Sequence, residues 1–369
     1  LVKASRVIPC DGFEDKHIGP ASIDLTISGD HVYVLHQAFK PSARKGETVR
    51  QLIEYFSPTN GPKTVGLGDV LYPGCTYLAK ASVNVNFPPG MYAYTNAKST
   101  SGRNFLLVRV IADMCEGFDA IDNRRSGYSG EVWFLMQPLA YPVVLTNKEA
   151  YIQMRVFDGD TRFSERDLQI VLQEHDFLHR HNDVPYKQGE LSLFSEDGSI
   201  FTTLRAKSGK LIGFKAVRGT AVKPLDLTLR GLDPREYFEP VYGDVDPSDS
   251  DGGTVTLDPS SYYLLSTNEK LNVPVSACSE LRMLDPRAGL FFSHFAGFFD
   301  PGFYGTPTLE VVSVMPTTLR HKDVVARFGL ERMRSVTPSY ASVGNYAGQR
   351  RTTLPKQFSM PESWLSRVE

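Results

Sequence analysis

Hydrophobic and polar residues alternate in many short runs along the 369-residue chain, and stretches marked by Gly or Pro separate these runs. Alternation with a period of two predicts strands that bury one face. Many short strands, spaced by roughly 8 to 12 residues, are typical of antiparallel barrels and sandwiches. The pattern therefore predicts an all-β protein with minor helices.

The clearest helical pattern covers residues 164–175. Ser164 and Asp167 have the spacing of a capping box, and the apolar Leu168 and Leu172 follow them. A polar segment at 175–186 comes next. We interpret the helix and this segment as the junction between two halves.

Two landmarks of the first half recur in the second half in the same order. They are Tyr77-Leu78 with Asn86-Phe87-Pro88, matched by Tyr263-Leu264 with Asn272-Val273-Pro274, and Ile23-Asp24-Leu25-Thr26, matched by Leu225-Asp226-Leu227-Thr228. Repeats in a fixed order indicate duplication of one structural unit. We therefore predict two all-β domains, at 1–180 and 181–369.

Composition and charge exclude several classes of partner. The formal net charge is −2 and the basic residues are scattered, so nothing predicts binding to duplex nucleic acid or to an anionic membrane. No apolar run approaches the roughly 18 residues of a membrane span, and the first residues lack a signal-peptide core. We expect a cytosolic protein.

The metal-ligating residue types form no recognisable motif. The chain has four cysteines and no Cys-x-x-Cys, which predicts neither a disulfide framework nor a thiolate zinc site. His175, His179 and His181 could be drawn as a metal trio, but no acidic partner frames them. We interpret them as part of a solvated linker.

One carboxylate interrupts a strand pattern. Asp300-Pro301-Gly302-Phe303-Tyr304 has the residues of a tight turn, and 308–314 alternates on β-favouring residues with Glu310 in the middle. Glu is depleted in strands and rarely buried without a partner. Glu310 is therefore either a solvent-facing strand residue or a rigidly held general acid/base.

A second candidate lies at 98–103, where Lys98, Ser99, Thr100 and Arg103 adjoin a glycine. Two cations with hydroxyl and backbone donors suit the oxygens of a phosphate. An ordinary polar loop is the alternative. Neither a P-loop nor a dinucleotide fingerprint is present.

Near the C-terminus, 346–353 combines an aromatic side chain, an amide and two arginines around a glycine. Such a segment could close over a nucleotide, although a disordered terminus is the default expectation.

Three motifs together resemble those of the dCTP deaminase family, relatives of the trimeric dUTPases. They are Lys-Ser-Thr-x-x-Arg at 98–103, Asp-Pro-Gly-x-x-Gly at 300–305 followed by Glu310, and Tyr-x-Gly-Gln-Arg at 346–350. The resemblance implies distorted β-barrel halves, trimer-based homo-oligomers, and active sites between neighbouring subunits. It also implies zinc-free deamination of dCTP to dUTP and ammonia, supplying dUTP for dTTP synthesis, with Mg²⁺ accompanying the triphosphate and dTTP as a candidate inhibitor.

The resemblance also implies roles for individual residues. Glu310 would be the general acid/base that activates water, and Ala296 would lie beside the base pocket. The implied substrate-binding residues are Lys98, Ser99, Thr100 and Arg103 in the first half, Arg282 and Arg287 in the second half, and Tyr346 and Gln349 in the closing tail.

The chain departs from the family pattern in both halves. Leu135 stands where the first half would carry its catalytic Glu, and Met283 and Leu284 stand where serines are expected in the second half. Sites could combine Ser99 and Arg103 of one half with Glu310 of the other. Alternatively, only the second halves form sites and the first halves are scaffold.

Two rival functions remain open at this point. A pyrophosphohydrolase of the dUTPase type would share the fold and the phosphate recognition but would hydrolyse between phosphates. A non-catalytic nucleotide-binding regulator is suggested by the degenerate first half, and Glu310 argues against it.

Replacing Arg103 and Arg287 separately with Ala distinguishes the two site models. A guanidinium that holds a triphosphate makes charge-assisted hydrogen bonds, whereas an arginine on a scaffold surface contributes little. If unlike halves share a site, we expect both substitutions to cripple dCTP turnover; if second halves act alone, only Arg287→Ala should. Steady-state kinetics that are unchanged in both variants would refute this placement of the phosphates.

Overall fold

The computed structural model describes residues 14–40, 46–191, 193–194, 198–284, 296–334, 344, 346 and 348–368. Within these residues strands predominate and helices are few and short, so the predicted all-β class is confirmed.

The strands of the first part of the chain are β1 (Ile23–Leu25), β2 (Ile27–Leu35), β3 (Lys63–Val65), β4 (Val70–Leu71), β5 (Thr76–Phe87), β6 (Tyr92–Ala97), β7 (Leu106–Ala112), β8 (Ala120–Ile121), β9 (Tyr128–Pro138), β10 (Val143–Val144) and β11 (Ile152–Phe157). The later strands are β12 (Leu178–His179), β13 (Leu193–Phe194), β14 (Ser199–Thr203), β15 (Leu211–Ala216), β16 (Leu225–Asp226), β17 (Phe238–Tyr242), β18 (Asp244–Val245), β19 (Gly253–Leu257), β20 (Tyr262–Ser266), β21 (Lys270–Asn272), β22 (Ala277–Arg282), β23 (Phe298–Phe299), β24 (Tyr304–Gly305), β25 (Thr308–Val312), β26 (Thr317–Arg320) and β27 (Val324–Arg332).

The α-helices are α1 (Val49–Phe56), α2 (Ser99–Arg103), α3 (Glu165–Glu174) and α4 (Glu362–Leu365), and short 3-10 helices cover Asp15–His17, Gln188–Glu190 and Pro234–Glu236. In the part of the chain that the structure describes, no helix has the length and apolar character needed to cross a membrane.

The chain divides into two compact units, one comprising Leu1–Asp160 with Arg218–Leu229 and the other Thr161–Val217 with Arg230–Glu369. The boundary therefore lies earlier than the expected position near residue 180. The physical reason is that the segment after residue 160 packs within the second unit. Phe163 donates its N–H to Leu330 at 3.0 Å, and Asp167 on α3 pairs with Arg332 at 2.6 Å.

The segment Arg218–Leu229, which belongs to the first unit, changes the interpretation of one landmark. Leu225 and Asp226 form β16, which pairs in parallel with Val143 and Val144 of β10. The second copy of the Leu-Asp-Leu-Thr landmark thus completes a sheet of the first unit rather than one of the second.

The described residues of the first unit form three sheets, with strand orders β3-β2-β5-β9-β7, β1-β11-β6-β8 and β16-β10-β4. Helix α1 packs its Val49, Leu52 and Ile53 into an apolar cluster that includes Trp133. These three residues follow the i, i+3, i+4 spacing of an amphipathic helix. This helix was not predicted from the sequence, although the apolar spacing and the Thr48 N-cap are both present there.

In the part of the second unit that the structure describes there are four sheets, with strand orders β13-β14-β27-β22-β23, β17-β15-β20-β25, β12-β21-β24 and β18-β19-β26. Its apolar cluster takes Leu309 and Val311 from β25 and Tyr263 and Leu265 from β20. The predicted helix is confirmed as α3, since the Ser164 hydroxyl accepts from the Asp167 N–H and the Asp167 carboxylate accepts from the Ser164 N–H.

The two units repeat one cross-strand register. Leu78 on β5 lies opposite Leu135 on β9, and Leu264 on β20 lies opposite Glu310 on β25. Each leucine follows a tyrosine whose hydroxyl accepts a backbone N–H from five residues earlier, at 3.0 Å for Tyr77 and 2.9 Å for Tyr263. This shared geometry places Leu135 and Glu310 at equivalent positions of their units.

We predict that Tyr77→Phe and Tyr263→Phe destabilise their units by similar amounts. Each change leaves a partly buried N–H without its acceptor, which costs about 1 to 3 kcal/mol. Urea unfolding followed by circular dichroism measures this, with the exposed Tyr55→Phe as a control that should leave the midpoint unchanged. A large loss in one unit and none in the other would contradict equivalence of the two tyrosines.

Candidate active site

Glu310 is a buried carboxyl group at the centre of β25, with only 1% of its surface exposed. The strand begins after a tight turn in which Phe303 donates its N–H to Asp300 at 3.1 Å and Gly302 has φ of 77°. The predicted turn and strand are thus present. The interpretation of Glu310 as a solvent-facing strand residue is excluded.

A backbone donor lies against this carboxyl group. The N–H of Ala296 donates to Oε2 of Glu310 at 3.3 Å, and Ala296 is itself buried. The Leu281 N–H donates to Gly297 at 2.8 Å, which ties this segment to the end of β22. The structure therefore brings together two of the residues that the sequence analysis selected, Glu310 and Ala296.

The alternation of side chains along β25 determines which face of the sheet carries Glu310. Leu309 and Val311 point into the apolar cluster of the second unit, so Glu310 points to the opposite face. Thr308 shares that face with Glu310 and lies opposite Ser266. A carboxyl group held on a paired strand has little freedom to move, which suits a group that must meet a substrate in one fixed geometry.

The tail segment packs against the chain immediately before β25. Thr306 donates its N–H to the Gln349 carbonyl at 2.8 Å, and the Gln349 side-chain amide donates to the Thr306 carbonyl at 2.5 Å. Thr353 adds a hydroxyl bond to Gln349 at 2.6 Å. Gln349 is buried and anchors the tail at Thr306, which lies four residues before Glu310 in sequence.

Two other selected residues of the second unit have contacts of their own. The Tyr346 hydroxyl accepts from the Lys356 N–H at 3.1 Å. Arg282 ends β22, and its guanidinium lies over Gly329, where a Cβ atom would collide with it. Arg287 lies outside the described residues.

In the first unit, the cluster at 98–103 is α2 with the residue before it. Lys98 forms an ion pair with Asp24 of β1, a partner that the sequence analysis did not identify. Arg103 is 4% exposed and Thr100 is buried, whereas Ser99 is half-buried. The segment is thus a short helix rather than a loop, and two of the four residues are buried.

Leu135 has none of the chemistry of its equivalent, Glu310. It belongs to an apolar cluster with Leu78, Ile111 and Trp133. The first unit thus carries a closed hydrophobic contact at the position where the second unit carries a carboxyl group.

The three histidines are half-buried within the second unit, so the expectation of a solvated linker is wrong. Nε2 of His175 lies 2.9 Å from the Asn272 carbonyl, and His179 stacks edgewise on Tyr304. Burial lowers the pKa of His179, and burial with nearby cations lowers the pKa of His181 to about 4. The described residues include no group of three or more His, Cys, Asp or Glu side chains placed to hold a metal ion.

A second buried carboxyl group, that of Glu269, was not predicted from the sequence. It accepts from the Thr203 N–H at 2.7 Å and from the Thr203 hydroxyl at 2.6 Å, and burial raises its pKa. In the sequence Glu269 is an isolated acidic residue before Lys270, and a residue of this kind is normally exposed.

Comparison with known proteins identifies the class to which this chain belongs. A family model of the 2'-deoxycytidine 5'-triphosphate deaminase (DCD) N-terminal domain matches residues 1–160, and the model of the DCD C-terminal domain matches residues 173–358. The class is thus a hydrolase that deaminates a nucleotide. The chain belongs to the 2'-deoxycytidine 5'-triphosphate deaminase family.

Similar proteins agree with this assignment. A crystal structure of 2'-deoxycytidine 5'-triphosphate deaminase from Agrobacterium tumefaciens superposes with a TM-score of 0.78 at 25% identity, covering 93% of this chain and 96% of that one. A dCTP deaminase, dUMP-forming, from Corynebacterium glutamicum is 32% identical over 34% of this chain and 70% of its own length. The protein of the same name from Nocardia farcinica is 30% identical over 37% of this chain and 74% of its own length.

We predict that Gly305→Ala loosens the tail. Gly305 has φ of 153°, and an added Cβ would lie 2.8 Å from the Gln349 carbonyl oxygen. We expect a loss of roughly 1 to 3 kcal/mol and faster tryptic cleavage after Arg350 and Arg351. Gly61→Ala is the matched control, since Gly61 also has positive φ but nothing within 4 Å. Equal cleavage rates in the two variants would contradict tail anchoring at Gly305.

Proposed function

We propose that this protein deaminates dCTP and that Glu310 is its general acid/base. The observation that carries the proposal is the buried carboxyl group on a rigid strand, with the Ala296 N–H donating to it at 3.3 Å. Membership of the dCTP deaminase family supports the choice of substrate.

The reaction requires several proton transfers at one ring position. Water attacks C4 of cytosine while the Glu310 carboxylate removes a proton from that water. The carboxyl group delivers that proton to N3 and then transfers the remaining proton of the C4 hydroxyl to the amine, which leaves as ammonia when the C4–N bond breaks and the C4=O bond forms. One carboxyl group that alternates between its two protonation states can perform these transfers.

The Ala296 N–H has a specific part in this scheme. A carboxylate buried without hydrogen bonds would be expensive and would neutralise itself. The backbone donor compensates part of that cost and fixes the direction of Oε2. The donor is on the backbone, so side-chain changes at 296 alter pocket shape more than proton transfer.

The proposal needs no zinc. The Cys and His residues lack the His-x-Glu and Pro-Cys-x-x-Cys spacing of the zinc deaminases. Mg²⁺ enters with the substrate as the companion of its triphosphate. Zinc in active protein at one equivalent, lost with activity on chelation and restored by zinc alone, would overturn this part.

Residues for the phosphates come from two groups. The first unit offers the buried Arg103 with Ser99 and Thr100, and the second unit offers Arg282 and Arg287. Both site models therefore stay open. The trimer-based assembly that the resemblance implies would build each site from neighbouring chains. Homo-oligomer formation, a cytosolic location and inhibition by dTTP stay predictions.

The product separates two versions of the activity. The motifs favour dUTP and ammonia, with dUTP feeding dTTP synthesis. The relatives from Corynebacterium glutamicum and Nocardia farcinica are named dUMP-forming, which supports a second candidate that also releases pyrophosphate. Ammonia, dUTP, dUMP and pyrophosphate measured from one dCTP reaction with Mg²⁺ distinguish them. Pyrophosphate without ammonia would indicate the dUTPase-type reaction, and binding without turnover would indicate a regulator.

We expect Glu310→Gln to lower kcat by roughly 10² to 10⁴-fold, the range typical for removal of an acid/base group. The amide keeps the size of the side chain and much of its hydrogen bonding. Affinity for dCTP should therefore change far less than turnover. Stopped-flow ammonia release and equilibrium binding of dCTP measure the two quantities separately.

Leu135→Met is the matched control at the equivalent position of the first unit. A swap that conserves volume costs less than about 1.5 kcal/mol, and no carboxyl group is lost, so kcat should stay near that of the parent. A Glu310→Gln protein with parental turnover would remove Glu310 from the mechanism.

A further inference from the structure

We propose that the second unit carries a polyphosphate-binding cavity, apart from Glu310, whose ligand is a pyrophosphate or triphosphate group. The cavity measures about 210 Å³, and its lining contains no acidic residue. Its charged and titratable lining residues are Arg205, Lys207, Lys210, Arg350, Arg351 and His181.

Two separate segments supply the cations. The connection between β14 and β15 carries Arg205, Lys207 and Lys210, and the tail carries Arg350 and Arg351. Hydrogen bonds fix both segments. Arg205 donates its N–H to Ser266 at 3.1 Å, and the Thr352 hydroxyl donates to Ile212 at 2.9 Å.

The neighbouring carboxylates leave the cavity positive. Asp251 pairs with Lys207 at 2.6 Å but is largely exposed. Asp183 pairs with the buried Lys270 at 2.6 Å and lies 3.9 Å from Arg350. Asp183 carries a single negative charge and lies closer to Lys270 than to Arg350. It therefore does not fully neutralise the charge of Arg350. The cavity lining itself carries five cations and no carboxylate, and a multivalent anion relieves their mutual repulsion.

His181 lies in the positive electrostatic potential of the same cations. Its Nδ1 is buried and has no hydrogen-bond partner among the described residues. Its pKa is lowered to about 4, first by burial and then by Arg205 and Lys270, with a further contribution from Arg350. His181 is therefore neutral at pH 7 and can donate one N–H to a phosphate oxygen.

The size of the cavity selects the ligand. Sites that enclose a whole drug-sized molecule occupy roughly 300 to 1,000 Å³, so this cavity suits a phosphate chain rather than a complete buried nucleotide. Arginine pairs matched by lysines are the usual partners of phosphate oxygens. The chain could be free pyrophosphate or the phosphate end of a nucleotide whose base stays outside.

The site stands independently of the proposed deamination. Its lining excludes Glu310, Ala296 and Arg282. The link between the two regions is Ser266, which lines the cavity and lies opposite Thr308, two residues before Glu310.

The test is calorimetric titration of the full-length protein with inorganic tripolyphosphate, pyrophosphate and orthophosphate. Lys210→Ser/Arg350→Ser removes two exposed cations of the cavity, and we expect tripolyphosphate affinity to fall tenfold or more. Arg166→Ser/Arg235→Ser removes two exposed cations elsewhere in the same unit and should change the affinity less than about twofold, the size expected for screened surface charges.

Hydrogen exchange locates the ligand. Tripolyphosphate should protect backbone amides at 205–212 and 350–352, both in the parent and in Glu310→Gln. Competition by dCTP would identify a nucleotide as the source of the phosphates, and binding of pyrophosphate without such competition would identify the free anion; either result supports the cavity. Equal affinity in the two double variants, or protection elsewhere only, overturns it. Parental turnover of Glu310→Gln with the cavity result intact would remove the deamination mechanism alone.

Discussion

Burial of one carboxyl group on a paired strand is the constraint on which the second unit depends. Removing a carboxylate from water costs several kcal/mol unless polar partners replace the lost hydration. The Ala296 N–H provides such a partner, and the tail bonds at Thr306 hold the start of β25 in place. The packing around Glu310 therefore keeps a costly group in position, which is the arrangement expected where function opposes stability.

Local patterns allowed much of this fold to be predicted from the sequence. The turn at 300–303, strand β25 and helix α3 depend on residues that are adjacent in the chain, such as Ser164 and Asp167. Helix α1 was missed although its pattern is also local. The unit boundary and the burial of the histidines were mispredicted because they depend on pairing with residues more than 90 positions away, such as Asn272 for His175.

The candidate site was predictable only in part. Glu310 is visible as a carboxylate in a strand pattern, but its contact with Ala296 crosses 14 residues and came from the family resemblance alone. The basic cavity was missed because Arg205, Lys207 and Lys210 are separated from Arg350 by about 140 residues of sequence, and each group alone has the composition of a surface loop.

The equivalence of Leu135 and Glu310 has an evolutionary consequence. After a duplication, the copy that no longer carries a carboxyl group escapes the conflict between activity and stability, since an apolar contact such as that of Leu135 with Trp133 contributes to stability outright. The first unit can then accumulate substitutions that its partner could not tolerate. A chain that contains both units thereby joins a unit free of the buried carboxyl group to a unit that must keep it.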